Sequence, residues 1–144
     1  VLRYYHIGNN NIVEVAKSQV GTTSGRKYWT WYGFNKKVNW CAIFVSWCAN
    51  ESGMLDDNSV PKFSLCTDGE NWYKKNNRWK DKYYVPMAGN IIFFDWQQDG
   101  HTDHVGIVEK VENGKVFTIE GNSKDEVREK SYNLSSKSIY GYGV

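Results

Sequence analysis

Between Trp40 and Ala49 only Ser46 is polar. Cys41, Phe44, Val45, Cys48 and Ala49 recur at i, i+3, i+4, i+7 and i+8, the spacing of one helix face. Ala42, Ile43 and Trp47 make the opposite face apolar too. The pattern predicts a helix buried on all sides. The run is too short to span a bilayer, which takes about 20 apolar residues. Asn39 is a candidate N-cap and Gly53 a candidate residue just past the end. Upstream, Ile12, Val13, Ala16 and Val20 give a second helix face, opening after Asn11 and stopped by Gly21. Residues 1–10 read as a lead-in. Downstream, Thr67 and Glu70 have the spacing of a capping box for a helix through Trp72 and Tyr73. The polar stretch 74–81 should end it.

The second half changes period. Residues 90–96 are a short apolar run that reads as a buried strand. Residues 104–109 and 116–120 read as the next two strands, joined across Glu112-Asn113-Gly114. Two more strands are expected over 127–132 and 138–144. Helices come first and strands follow, which is α+β order. The expected architecture is N-terminal helices packed on an antiparallel β-sheet. With 144 residues and no internal repeat, residues 1–144 suit a single domain with one core.

The turn at Asn113-Gly114 has two possible geometries, and they differ in chemistry. A two-residue type I′ turn would put His104 and Glu120 on opposite faces. A three-residue loop, Glu112-Asn113-Gly114, with Gly114 in the left-handed region as a bulge, shifts the pairing by one. Val111 then faces Lys115, Gly106 faces Glu120 and His104 faces Asn122. In that register His104, Glu120 and Asn122 share one face, Gly106 leaves room beside them, and Val105, Ile107, Phe117 and Ile119 form the packing face. The second register is the one expected, with positive φ at Gly114 and His104 within hydrogen-bond range of Glu120 or Asn122.

That face gives the buried helix a chemical meaning. Cys41 falls in its first turn, where free N–H groups and the helix dipole favour an anion and depress a thiol pKa. Free cysteines often only fill space, and Cys48 and Cys66 are read that way. Cys41 differs if a base and an orienting group reach it. His104 is the candidate base, and Glu120 or Asn122 the group that holds its ring. The Cys41 N–H can help hold an oxyanion. The reaction class is acyl transfer to water through a thioester.

Composition adds two points. Aromatic residues make up 16% of the chain, with seven Trp and ten Tyr. Several fall in residues 22–37, a loop leading into Cys41, so Trp31, Tyr32, Phe34 and Trp40 are candidate substrate-binding residues. The net charge of +2 is too small to argue for nucleic acid. Three cysteines rule out a full disulfide framework. The chain starts at Val1, as a fragment excised from a longer, exported protein would, and a monomer is expected.

The segments around Cys41 (39–47), 86–94, 103–108 and 118–123, in that order and spacing, resemble CHAP domains. These are cysteine- and histidine-dependent amidohydrolases/peptidases, related to NlpC-type and papain-like peptidases. The resemblance covers roughly residues 10–144 and implies a papain-like, NlpC-type fold. It implies an enzyme of bacterial or phage origin that cuts amide bonds in peptidoglycan peptides, as an N-acetylmuramoyl-L-alanine amidase or an endopeptidase. Carried over, Cys41 is the nucleophile, His104 the base, Glu120 the third member and Asn122 an additional polar site residue. It implies no organic cofactor, a place outside the cell or at the wall, and a parent chain with other lytic or wall-binding domains. Some phage members carry calcium on aspartates just upstream of the nucleophile. Residues 21–39 contain no Asp or Glu, so no metal is expected here.

Two rival readings remain at this point. His101 and His104 flank Asp103 and could serve a metal-dependent hydrolase. The aromatic loop and mild positive charge would also suit a non-catalytic wall-binding module.

Overall fold

The computed structural model describes residues 10–144. The lead-in expected before residue 10 lies outside them, and Asn10 already belongs to the first helix. Among the described residues no helix is long and apolar enough to cross a membrane.

Among the described residues, four helices precede the strands. Helix α1 (Asn10–Ser18) buries Ile12, Val13 and Ala16. It ends before Val20, which is 41% exposed rather than part of the apolar face. Residues 22–37 are not simply a loop, because they contain helix α2 (Arg26–Tyr32). Tertiary packing explains the difference. Tyr28 is fully buried, stacks on Trp40 at 5.5 Å and meets Phe44 edge-on at 5.1 Å. Gly25 starts α2 with φ 66°, and a Cβ there would run into the Trp40 indole.

Helix α3 (Cys41–Glu51) is the buried helix, with eight of its residues in the interior. Met54 N–H donates to Ala49 and Gly53, at φ 79°, closes its C-terminal end. Ser46, its one polar buried residue, donates to the Phe63 carbonyl at 2.8 Å and accepts the Phe63 N–H at 2.9 Å. Ser46→Ala would leave both buried backbone groups unpaired. The expected cost is about 1–3 kcal/mol, read as a lowered urea midpoint with an unchanged slope.

Helix α4 (Cys66–Lys75) starts earlier than the capping-box spacing indicates. Leu65 occupies the N-cap position, no side chain caps the helix, and Glu70 pairs with Lys74 at 2.5 Å instead of reaching back. Like Cys41, Cys66 therefore opens its helix.

The sheet is antiparallel, in the order β1-β6-β2-β3-β4-β5. Its strands are β1 (Trp79–Asp81), β2 (Ile91–Phe94), β3 (His104–Glu112), β4 (Lys115–Glu120), β5 (Arg128–Asn133) and β6 (Ile139–Gly143). Strand β1 lies in the polar stretch and is held by pairing with β6. Helices α1 and α3 pack on the face carrying Ile91, Phe93, Val105, Ile107 and Ile119. Ile92, Phe94, Val108 and Val116 form a second cluster.

The β3–β4 hairpin corrects the three-residue loop. Glu112 faces Lys115 and Val111 faces Val116. Asn113 and Gly114 both have positive φ, 53° and 77°, the requirement of a type I′ turn. The one-residue shift occurs instead at a bulge between Val108 and Lys110. Beyond it Ile107 faces Ile119, so Gly106 comes beside Glu120 as in the expected register. The expected shift is present, at Glu109 rather than in the loop.

Candidate active site

Cys41 opens α3 and His104 opens β3. Because α3 packs on β3, these first residues come together. Cys41 is 2% exposed. Its thiol is held well below the ordinary range, chiefly by the Cys66 thiol beside it, against the effect of burial, with His104 and the Val105 backbone N–H adding to the shift. The Sγ atoms of Cys41 and Cys66 are 3.8 Å apart.

His104 is 9% exposed. Its Nε2 lies 2.9 Å from Glu120 Oε1, which leaves Nδ1 for the thiol. Burial alone would lower its pKa, but Cys41 and Glu120 outweigh it and push the imidazole up to about 9. The charged form therefore persists at neutral pH. Trp96 covers the ring at 5.7 Å between centroids, and Phe94 flanks it at 5.8 Å.

Glu120 is almost fully buried, and burial would raise its pKa. The His104 contact and two hydroxyl donors more than offset this and keep the carboxyl below its usual value. Thr118 Oγ1 donates to Oε2 at 2.5 Å and Tyr132 OH at 2.7 Å. A buried carboxylate with its lone pairs filled is a fixed negative charge. Gly106 makes room for it, since a Cβ there would lie 2.8 Å from Glu120 Cγ. Gly106→Ala is expected to displace Glu120 from His104 and lower the imidazole pKa, as read by an NMR titration of His104.

Asn122 does not sit opposite His104 on the strand. It lies past the end of β4 with φ 56°, and its Nδ2 donates to Asn39 Oδ1 at 2.9 Å. The same oxygen accepts a long 3.5 Å bond from the Cys41 N–H. Asn122 thus supports the segment entering α3, while Glu120 holds the imidazole.

A cleft of about 390 Å³ opens on Cys41, with Phe34, Val38, Leu65 and Thr67 in its walls. Of the four aromatic candidates, Phe34 lines it. Tyr32 stacks on Phe34 at 5.6 Å, and Trp31 meets Tyr32 edge-on. Trp40 is corrected: it is fully buried, stacked on Tyr28 with its indole N–H donating to Asp125 at 3.3 Å, so its ring is core. A second cavity of about 440 Å³, lined by Tyr83 and Tyr140, contains none of these residues.

His101 is exposed. Among the described residues the one group of possible metal ligands is Asp95, Asp99 and Asp103, which includes neither His101 nor His104. Two of these carboxylates fold the loop. Asp95 accepts the Asp99 and Gly100 N–H groups, and Asp103 accepts the Trp96 N–H at 2.6 Å, which fixes Trp96 beside His104.

Three participants were missed by sequence reasoning. Thr118 was readable, because it lies two residues before Glu120 and shares its strand face. Tyr132 was not, because only the β4–β5 pairing brings it across. Cys66 is not readable as a participant either, because only the tertiary fold brings its sulfur to 3.8 Å from that of Cys41.

A family model described as CHAP domain matches residues 29–122. No curated protein matches the chain. Among solved structures, Ly7917 aligns with a TM-score of 0.57 at 21% identity, over 92% of this chain and 60% of that one. A structure of Ly7917 with the hydrolyzing product of MDP aligns with a TM-score of 0.58 at 20% identity, over 92% and 61%. A protein described as similar to lipoprotein, NLP/P60 family, from Staphylococcus aureus subsp. aureus Mu50 aligns with a TM-score of 0.51 at 17% identity, over 94% and 40%. At these identities the likeness is one of fold, and the chain spans about 60% of the length of the Ly7917 structures.

Proposed function

The chain belongs to the CHAP domain family, and from that premise we propose that it is a peptidoglycan hydrolase acting on an amide bond of the wall peptides. Cys41 is the nucleophile, His104 the base and acid, and Glu120 the group that orients and charges the imidazole. The observation that carries this reading is the meeting of a depressed thiol, a raised imidazole and a buried carboxylate, with the thiol opening on a cleft. The Ly7917 structure with the hydrolyzing product of MDP supports the substrate class.

The steps follow from the resting charges. The Cys41 thiolate attacks the amide carbon, and the carbonyl π pair moves onto oxygen. Helix-start N–H groups face that oxygen, and the Cys41 N–H can exchange its long bond to Asn39 for the oxyanion. His104 Nδ1–H gives its proton to the leaving nitrogen, the C–N bond breaks and a thioester remains. The neutral imidazole then takes a proton from water, whose oxygen attacks the thioester. Collapse releases the carboxylic acid and restores thiolate and imidazolium. Asn122 steadies Asn39 and so the approach to Cys41. Phe34, backed by Tyr32 and Trp31, forms the apolar wall that a peptide stem would meet. The site of action is the cell wall, outside the cytoplasm.

Digestion of purified cell walls tests this reading. The expected products are new free amino groups without new reducing sugars, and mass spectrometry of the soluble muropeptides separates a lactyl–alanine amidase from a peptide endopeptidase. Iodoacetamide should stop the reaction and a strong chelator should not. Reducing ends as the main product, or binding to walls with no release, would overturn it.

A further inference from the structure

We propose that Cys41 and Cys66 form a reversible intramolecular disulfide, with Cys66 as a resolving thiol that protects the nucleophile from irreversible oxidation. The functional consequence rests on the reading of Cys41 as nucleophile, whereas the bond itself does not.

The geometry is that of two facing helix starts. Cys41 is the first residue of α3 and Cys66 the first of α4. Their sulfurs are already in contact at 3.8 Å. A disulfide needs about 2 Å between sulfurs, so the remaining closure is small and falls on the first residues of two helices, outside their hydrogen-bonded middles. Residues 52–65, which join the two helices, contain no regular helix or strand and can absorb a shift. Cys48 offers no such route, because it lies two turns further along α3 and is fully buried. Cys66 is half-buried and forms part of the cleft wall beside Cys41, so an oxidant that reaches the nucleophile also reaches the pair.

The chemistry suits a peroxide oxidant. The Cys41 thiolate attacks one oxygen of the peroxide, the O–O bond breaks, and Cys41 becomes a sulfenic acid while hydroxide leaves. In the resting state Cys66 is held as a thiol, its pKa pushed up by the hydrogen bond to Cys41 and by burial. Once Cys41 is a neutral sulfenic acid that anionic neighbour is gone, and Cys66 can ionise. Its sulfur then attacks the sulfenic sulfur, the S–S bond forms, and the hydroxyl leaves as water with the Cys66 proton. The hydroxide takes a proton from the His104 imidazolium, so the site loses two protons and two electrons in all and the peroxide is reduced to two waters. A dithiol reverses the bond by exchange. Without a resolving thiol the sulfenic acid would go on to sulfinic acid, which thiols do not reduce.

Peptide mapping of the wild-type protein after mild hydrogen peroxide tests this. After alkylation and trypsin digestion, residues 38–62 and 63–74 should appear as one linked species. Residues 38–62 carry both Cys41 and Cys48, so fragment ions must place the alkyl group on Cys48. The link should also survive in Cys48→Ala. Cys41 found as sulfinic acid with Cys66 alkylated, or a link through Cys48, overturns the proposal. In the activity arm, dithiothreitol should restore wall clearing by peroxide-treated wild type but not by similarly treated Cys66→Ser. An enzyme inactive on walls before any oxidation counts against the hydrolase reading alone, and the peptide map still decides the disulfide.

Discussion

Cys41→Ala is expected to abolish wall clearing, with a rate loss on the order of 10⁵-fold or more, as when a covalent nucleophile is removed. The fold should remain, because the alanine keeps the Cβ at the start of α3 and the change removes one sulfur. The decisive companion measurement is binding. The variant should still sediment with purified walls, because Phe34 and the rest of the cleft wall are untouched. A variant that binds and does not clear separates catalysis from attachment, whereas a variant that clears as fast as wild type would remove the thiol mechanism. The imidazole offers a second readout. Burial lowers the His104 pKa, and the Cys41 thiolate is one of the two groups that raise it to about 9. Removing the thiolate should lower the His104 pKa, observable by NMR in a protein that no longer turns over.

The features readable in the sequence were those fixed by local pattern. The all-apolar stretch 40–49 gives the buried helix with Cys41 in its first turn, although Trp40 rather than Asn39 occupies the N-cap position. The pattern over 104–109 and 116–120 gives two paired strands and puts Val105, Ile107 and Ile119 on the packing face, whereas Phe117, expected beside them, is only half-buried with Lys110 over its ring. Features set by partners distant in the chain were not readable. Residues 26–32 are helical because Tyr28 is packed against Trp40, Phe44 and Trp47. Trp40 lies directly before the nucleophile, yet that same packing takes its ring out of reach of substrate. Strand β1 exists because β6 pairs with it. The hairpin is the most instructive case. Asn-Gly called for a type I′ turn on local grounds, and the turn has that form. The chemistry called for a register one residue away, and a bulge at Glu109 supplies it. An interior bulge lets the local turn and the long-range register coexist in one hairpin.

Glu120→Gln should have the other large effect, a fall in kcat of about 10³–10⁴-fold, the scale seen when the orienting carboxylate of a triad becomes an amide. The amide oxygen can still accept from His104 Nε2, so ring placement need not change. Thr118 and Tyr132 donate to the other carboxylate oxygen, and their hydroxyls can turn to accept from the amide NH₂. What disappears is the negative charge. The working state has the Cys41 thiol deprotonated and His104 protonated. Its window is bounded below by the depressed thiol pKa and above by the imidazole at about 9. Raising the pH through the upper limit removes the imidazolium proton and with it the general acid. Glu120 helps to raise that limit, so Glu120→Gln should move the alkaline limb of kcat/KM to lower pH. Without a strongly charged imidazolium beside it, the thiolate is also less favoured, so the acid limb should move up. A profile narrowed from both sides is the mark of an electrostatic role. If Glu120→Gln lost activity with both limbs unmoved, the carboxylate would serve only to place the ring, and the charge coupling assigned to Cys41, His104 and Glu120 would be wrong.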